Sequence, residues 1–320
     1  CAARAVQEGH ADIVLMLDTM GEARMAAAKA GLCGFKPSWG RVSRFGLLGL
    51  APSMECCSLL ARNPNDLAQA FRTIEGMDDC DPSMVAVGEA RDRPGNGSPS
   101  KDLTAGIVTP LLEALSPQER NAFSRAIANL QDAGVTIREV TFKDQGLFSV
   151  VHQVIASVEA SSSCGKYDGV RFGHRAQGAK NWNEMYLETR RESFSSLLKA
   201  FLFQGAYFQF ENYPAFENAC RIRARLVQEN RKLFESLDLM LLPMQSTLHD
   251  ANQARTLEQL YNAFPFTLLA NVTGQPALSL PSVFKCGGQD MGLQVLGPFL
   301  GDEELLSWAQ TLMVQGEEAA

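Results

Sequence analysis

A chain of 320 residues, 46% hydrophobic with 26 glycines and 14 prolines, can bury one large α/β core or two smaller ones, which excludes a disordered or collagen-like protein. A formal charge of -7 argues against direct nucleic-acid binding, which needs clustered Lys and Arg to displace counterions. Eight cysteines, two of them adjacent at Cys56 and Cys57, show neither zinc-ligand spacing nor disulfide-scaffold density, so a reducing compartment with no metal and no cofactor is expected.

Cys1 to Val6 reads as the middle of a helix of small residues, so the natural beginning of the chain is expected elsewhere. Asp12 to Leu17 has the length and apolar content of a buried strand, and Asp18-Thr19-Met20-Gly21 is a turn. A helix is expected over Ala23 to Ala30, ended by Gly31, followed by a passage into the loop Ser38-Trp39-Gly40. Strand, tight turn and helix in this order is how α/β enzymes present a nucleophile or a nest of backbone N–H groups. Asn63-Pro64-Asn65-Asp66 supplies cap and first-turn chemistry for a helix over Asn65 to Glu75.

Pro, Gly, Ser and Asn crowd Arg91 to Lys101, which reads as a surface loop or linker. Beyond it a strand over Thr104 to Thr109, a capped helix over Ser116 to Gly134 and a strand over Val135 to Val140 form a βαβ unit, predicting a parallel pair in a mixed sheet. Asn183 to Leu237 is almost entirely helical and forms a layer over the sheet. Asp238 to Pro243 and Pro276 to Pro281 are further buried strands. No apolar run reaches the roughly 18 residues of a membrane helix.

Gly31-Leu32-Cys33-Gly34-Phe35-Lys36-Pro37-Ser38-Trp39-Gly40-Arg41-Val42-Ser43-Arg44-Phe45-Gly46 resembles the amidase-signature stretch C-G-V-V-G-F-K-P-T-Y-G-R-V-S-R-Y-G-L. The run from Lys166 to Arg175, Met185-Tyr186 and Thr189 to Phe194 resemble the segment peculiar to the A subunit of the glutamyl-tRNA(Gln) amidotransferases. Leu241-Leu242-Pro243 and Ala270 to Ala277 match as well, so the resemblance runs in order through nearly the whole chain. It implies an α/β amidase-signature fold, a mixed central sheet flanked by helices on both faces, with its N-terminal part missing. Residues 1–90 would be the C-terminal part of the signature core, 91–103 a linker, and 104–320 the remainder, with the helical layer over 183–237.

The family cleaves glutamine with a Ser-Ser-Lys arrangement whose nucleophile ends a G-S-D-T-G-G-S turn. Here that turn reads Met16-Leu17-Asp18-Thr19-Met20-Gly21-Glu22, so Glu22 stands at the nucleophile position and Met20 replaces a glycine of the oxyanion turn. A carboxylate there fills the acyl site and repels a developing oxyanion. The second serine and the lysine lie, in the family, ahead of Cys1. The arginine and aspartate that grip the substrate's α-carboxylate and α-amino groups align with Phe201 and Phe264, which turns a polar pocket apolar.

Other candidates have plainer readings. Cys33, Cys56, Cys57, Cys80, Cys164, Cys220 and Cys286 lack a histidine at ligand spacing, and His10, His152, His174 and His249 are scattered and read as structural. Arg221, Arg223, Arg225, Arg231 and Lys232 read as a solvated helix face or a contact to an acidic neighbour. The aromatic crowd Phe201, Phe203, Tyr207, Phe208, Phe210, Tyr213 and Phe216 reads mainly as core, with part of it available as a protein interface. The expected function is that of a catalytically inactive amidase-like chain, a structural subunit with protein partners in a larger assembly. The resemblance suggests a mitochondrial one, such as a mitoribosome or a respiratory complex. The alternative is a working glutamyl-tRNA(Gln) amidotransferase A subunit that hydrolyses glutamine and supplies ammonia for Gln-tRNA(Gln) formation.

Overall fold

The computed structural model describes residues 2–86, 103–281 and 283–318, so the expected linker over 91–103 lies almost wholly outside the described residues. The chain opens with α1 (Ala2–Gln7), β1 (Ile13–Asp18), α2 (Glu22–Lys29), β2 (Cys33–Lys36), β3 (Cys56–Ala61) and α3 (Pro64–Ile74). Next come β4 (Thr104–Val108), α4 (Pro117–Asp132), β5 (Thr136–Val140) and α5 (Leu147–Ser163). The helical layer is α6 (Trp182–Ser193), α7 (Ser196–Phe210) and α8 (Tyr213–Leu233). It is followed by β6 (Leu239–Pro243), α9 (Leu257–Asn262), α10 (Leu268–Thr273) and β7 (Ala277–Leu280). A small hairpin, β8 (Lys285–Cys286) with β9 (Gln289–Asp290), leads to β10 (Leu293–Leu296) and α11 (Asp302–Glu318).

Local chemistry sets several of these boundaries. The Asn63 side chain accepts the Asp66 N–H, with Pro64 in the first turn of α3, and Ser116 and Glu119 form a reciprocal capping box at the start of α4. Gly31, at φ 65°, turns the chain out of α2 into β2.

Among the described residues eight strands form one sheet in the order β1-β3-β2-β7-β10-β6-β4-β5. The pairings from β1 to β6 are antiparallel, and β4 runs parallel to both β6 and β5, the mixed sheet that the βαβ unit predicts. Strands from both sides of residues 87–102 thus share one sheet.

Each face of the sheet is covered. On one, α3, α4 and α11 enclose a core that includes Phe35, Leu67, Phe71, Phe123 and Leu305. On the other, α2, α5, α8 and α10 enclose Met25, Ile155, Leu226, Met240 and Leu269.

Three expectations need correction. Asp12 to Leu17 is not a buried strand: among the described residues β1 pairs only with β3, at the sheet edge, and leaves Ile13 and Leu15 37% and 55% exposed. The passage after Leu32 contains a full strand, β2, at the middle of the sheet. The aromatic crowd is not mainly core either. Phe201 is buried, but Phe203, Tyr207, Phe210 and Tyr213 are exposed, because the inner face of α7 is already filled by its packing on α5.

Candidate functional site

The turn between β1 and α2 holds the residues that the signature resemblance singles out. Gly21, at φ 118°, caps α2 in a conformation that L side chains rarely adopt, and a Cβ there would lie 2.4 Å from Cβ of Thr267. The peptide groups before it therefore turn their N–H bonds inward on one spot. That spot is occupied by the chain itself: Oε2 of Glu22 accepts the N–H groups of Thr19 at 2.7 Å, Met20 at 2.8 Å and Gly21 at 3.2 Å. Three convergent N–H donors at a helix N-terminus make an anion nest, and a carboxylate one residue beyond the turn fills it. Glu22 is half-buried. Burial and the nearby Asp18 carboxylate push its pKa up, while the N–H groups pull it back.

Asp18 and Arg24 fasten the turn from below. Both are fully buried and meet as a two-pronged ion pair, Nη2 to Oδ1 at 2.8 Å and Nε to Oδ2 at 3.0 Å. Arg24 also donates to Asn271 Oδ1 at 2.6 Å, to the Thr267 carbonyl at 3.3 Å and to Gln294 Oε1. Asn271 returns Nδ2–H to Asp18 Oδ1 at 3.0 Å and to the Met54 carbonyl at 3.1 Å. Burial alone would raise the Asp18 pKa, yet Arg24 and Asn271 hold it below the usual carboxylate value.

His152 and Tyr261 hold the turn from the side. Nε2 of His152 lies 2.9 Å from the Thr19 carbonyl, and Nδ1 lies 2.9 Å from the Tyr261 hydroxyl. A carbonyl only accepts, so Nε2 carries the proton and Nδ1 accepts from Tyr261, which leaves the ring neutral. Burial, together with Arg223, lowers the His152 pKa to about 4 against the pull of the Thr19 carbonyl. Holding that carbonyl sets the peptide plane whose N–H, on Met20, points at Glu22. Tyr261 falls in no stretch that the sequence pattern marks, and only a contact across 109 residues shows it. Thr267 donates its hydroxyl to the Met20 carbonyl and completes the frame.

Phe201 and Phe264 are both buried in the apolar cluster that includes Met20 and Tyr261. No ring-to-ring contact joins the two among the described residues. Lys36 is fully buried too, but its Nζ donates to the Pro37 carbonyl at 2.9 Å and lies 3.7 Å from Cys56 Sγ, so it does not serve Glu22. A cavity of 390 Å³ lined by Trp39, Arg44, Ser53, Ser83, Glu159 and Ser163 includes none of the turn residues.

The remaining candidates fall into structural places. Arg223 clamps Ser53 and the Val272 carbonyl, Arg225 pairs with Asp144, and His174 lies 2.6 Å from Glu192. No cluster of three or more His, Cys, Asp or Glu among the described residues is placed to hold a metal, and no described helix is long and apolar enough to cross a membrane.

A wide mixed sheet enclosed by helices on both faces, with a strand-turn-helix nest at one side, is the architecture that the signature stretches imply. The Amidase family model matches residues 2–306, and the chain belongs to that family. Among its relatives is the A subunit of the glutamyl-tRNA(Gln) amidotransferase of a Geobacter species, 31% identical over 96% of this chain and 64% of that protein. The protein of the same name from a Nitratiruptor species is 32% identical over 97% of this chain and 70% of its own length. The crystal structure of the corresponding A subunit from Thermotoga maritima superposes with a TM-score of 0.72 at 24% identity, covering 95% of this chain and 62% of that one, a likeness of fold. The chain thus spans 64% of the length of the Geobacter relative.

Proposed function

We propose that this chain is a non-catalytic member of the family, similar to the amidotransferase A subunit, that works through its surfaces as one component of a multi-protein assembly. The observation that carries the reading is Glu22 Oε2 seated on the Thr19, Met20 and Gly21 N–H groups. In an amidase those donors must receive the oxyanion of a tetrahedral intermediate, and a resident carboxylate both occupies the position and repels the charge. Apolar Phe201 and Phe264 support it, since neither offers an ionic grip to a free amino acid. A mitochondrial location belongs to the same proposal on the strength of the family resemblance, and subcellular fractionation tests it.

The test is ammonia release from glutamine and asparagine by the purified protein in its full-length form. We expect none, because the Glu22 carboxylate holds the N–H groups that a developing oxyanion would need. Turnover above a buffer blank that disappears on substituting residues of the turn would overturn the proposal. It would favour the second reading, a working A subunit that supplies ammonia for Gln-tRNA(Gln). That reading draws on the 31% and 32% identity to proteins bearing the name, and it requires Glu22 to leave the nest.

A further inference from the structure

Helix α7 is apolar on two sides. Its inner side packs on α5 so closely that a Cβ on Gly205 would lie 1.8 Å from the Ser157 carbonyl oxygen, and Phe201 is buried there. Its outer side carries Ala200, Phe203, Tyr207 and Phe210 in three-four-three spacing, all exposed. Such spacing forms one continuous stripe along a helix. A helix that is apolar all round is normally covered on every side, and the described residues leave this stripe bare.

We propose that the stripe is a self-association surface on which a second copy of this chain docks its own α7. The area fits that occupant. Phe203, Tyr207, Phe210 and, at the start of α8, Tyr213 are 76, 52, 74 and 50% exposed, which at about 200 Å² per ring gives about 500 Å² of aromatic surface. This is near the upper end of what one monomer leaves uncovered. Specific association needs about 1,000 Å² in total, a value reached when the partner brings an equal apolar area, as an identical stripe does.

Geometry allows it as well. An antiparallel pairing about a two-fold axis at the level of Gly205, on the outer side of the helix, sets Phe203 against Tyr207 of the partner subunit, and small Ala200 against Phe210 of the partner subunit. The contact is isologous and closes on itself. A membrane surface fits less well, since the stripe has no Lys or Arg and the net charge of -7 opposes anionic lipid. The inference holds whether or not the turn at Glu22 hydrolyses an amide.

Sedimentation equilibrium of the full-length protein between about 1 and 100 μM reads the association directly. We expect a reversible dimer, and in the double variant Phe203→Glu, Phe210→Glu a dissociation constant raised at least about 30-fold, as for loss of central aromatic anchors. Tyr207→Arg is a second route to the same loss. All three side chains face solvent, so the circular dichroism of the variants should match the parent, as should their melts at concentrations where the parent is a monomer. Leu15→Lys, on the exposed edge of β1, should leave the dimer intact. A monomer throughout the range, or a dimer that survives the double variant, would overturn the proposal. So would a dimer lost in Leu15→Lys, or co-sedimentation with phosphatidylcholine–phosphatidylserine vesicles that the double variant abolishes.

Discussion

Replacing Glu22 by Ala asks how much the resident carboxylate contributes to the fold. Three N–H groups lose their acceptor, and a buried donor left bare costs about 1–3 kcal/mol. Two effects reduce that total: Glu22 is half-buried, so water enters the emptied nest, and one carboxylate facing Asp18 disappears. A net loss of about 2–3 kcal/mol is expected, with Glu22→Gln, which keeps an acceptor oxygen, losing about 1 kcal/mol. At a urea dependence of about 3 kcal/mol per molar, the Ala variant's midpoint falls by about 0.8 M. Formate or acetate, entering the vacated nest, should recover part of that shift in Glu22→Ala and none in the parent, since a ligand stabilises only the state that binds it. An Ala variant as stable as the parent and indifferent to formate would refute the idea that the nest is a preorganised anion site held by Glu22.

Two further predictions follow from the groups around the turn. His152 has a folded pKa of about 4, below the 6.5 of the unfolded chain, so between these values the unfolded state binds more protons and stability falls as pH drops. The full window corresponds to about 3 kcal/mol, and melts of the parent and His152→Gln across pH 4–7 should show the variant's slope flattened. Arg24→Met strands a buried carboxylate and should cost about 3–5 kcal/mol in urea melts, much of it recovered in the double variant with Asp18→Asn; additive losses would show that the ion pair is not the reason.

Much of the architecture was legible because it is written in local chemistry. The caps at Asn63 and Ser116 mark α3 and α4, and strand, capped helix and strand over 104–140 foretell the parallel pair β4–β5. What escaped has a physical reason in each case. An apolar run such as Ile13 to Leu17 looks alike in the centre of a sheet and at its edge, and only the pairing order tells them apart. Four-residue strands such as β2 and β10 are too short to show a period. The outer stripe of α7 is as aromatic as its inner face, so composition alone makes it core. At the site, Glu22 is visible as a replacement of the family's serine. Its return onto the turn's own N–H groups is set by Gly21, His152 and Thr267, two of them more than a hundred residues away.

The strand order carries a consequence for how the chain is made. Gly34 of β2 takes Ser279 of β7 as its neighbour, so β2 meets its inner neighbour only after about 240 more residues have been synthesised. At ~5–20 residues per second that is an interval of about 12–50 s. Until then Phe35 and Leu59, both fully covered in the finished fold, have only early elements such as α3, whose Phe71 meets Phe35 edge to face, to cover them. The late-arriving β7 and β10 work as the keystone of the sheet, so a ribosome that stalls before residue 277 leaves two half-sheets, β1-β3-β2 and β6-β4-β5, each with an unpaired inner edge, the kind of surface that general chaperones bind.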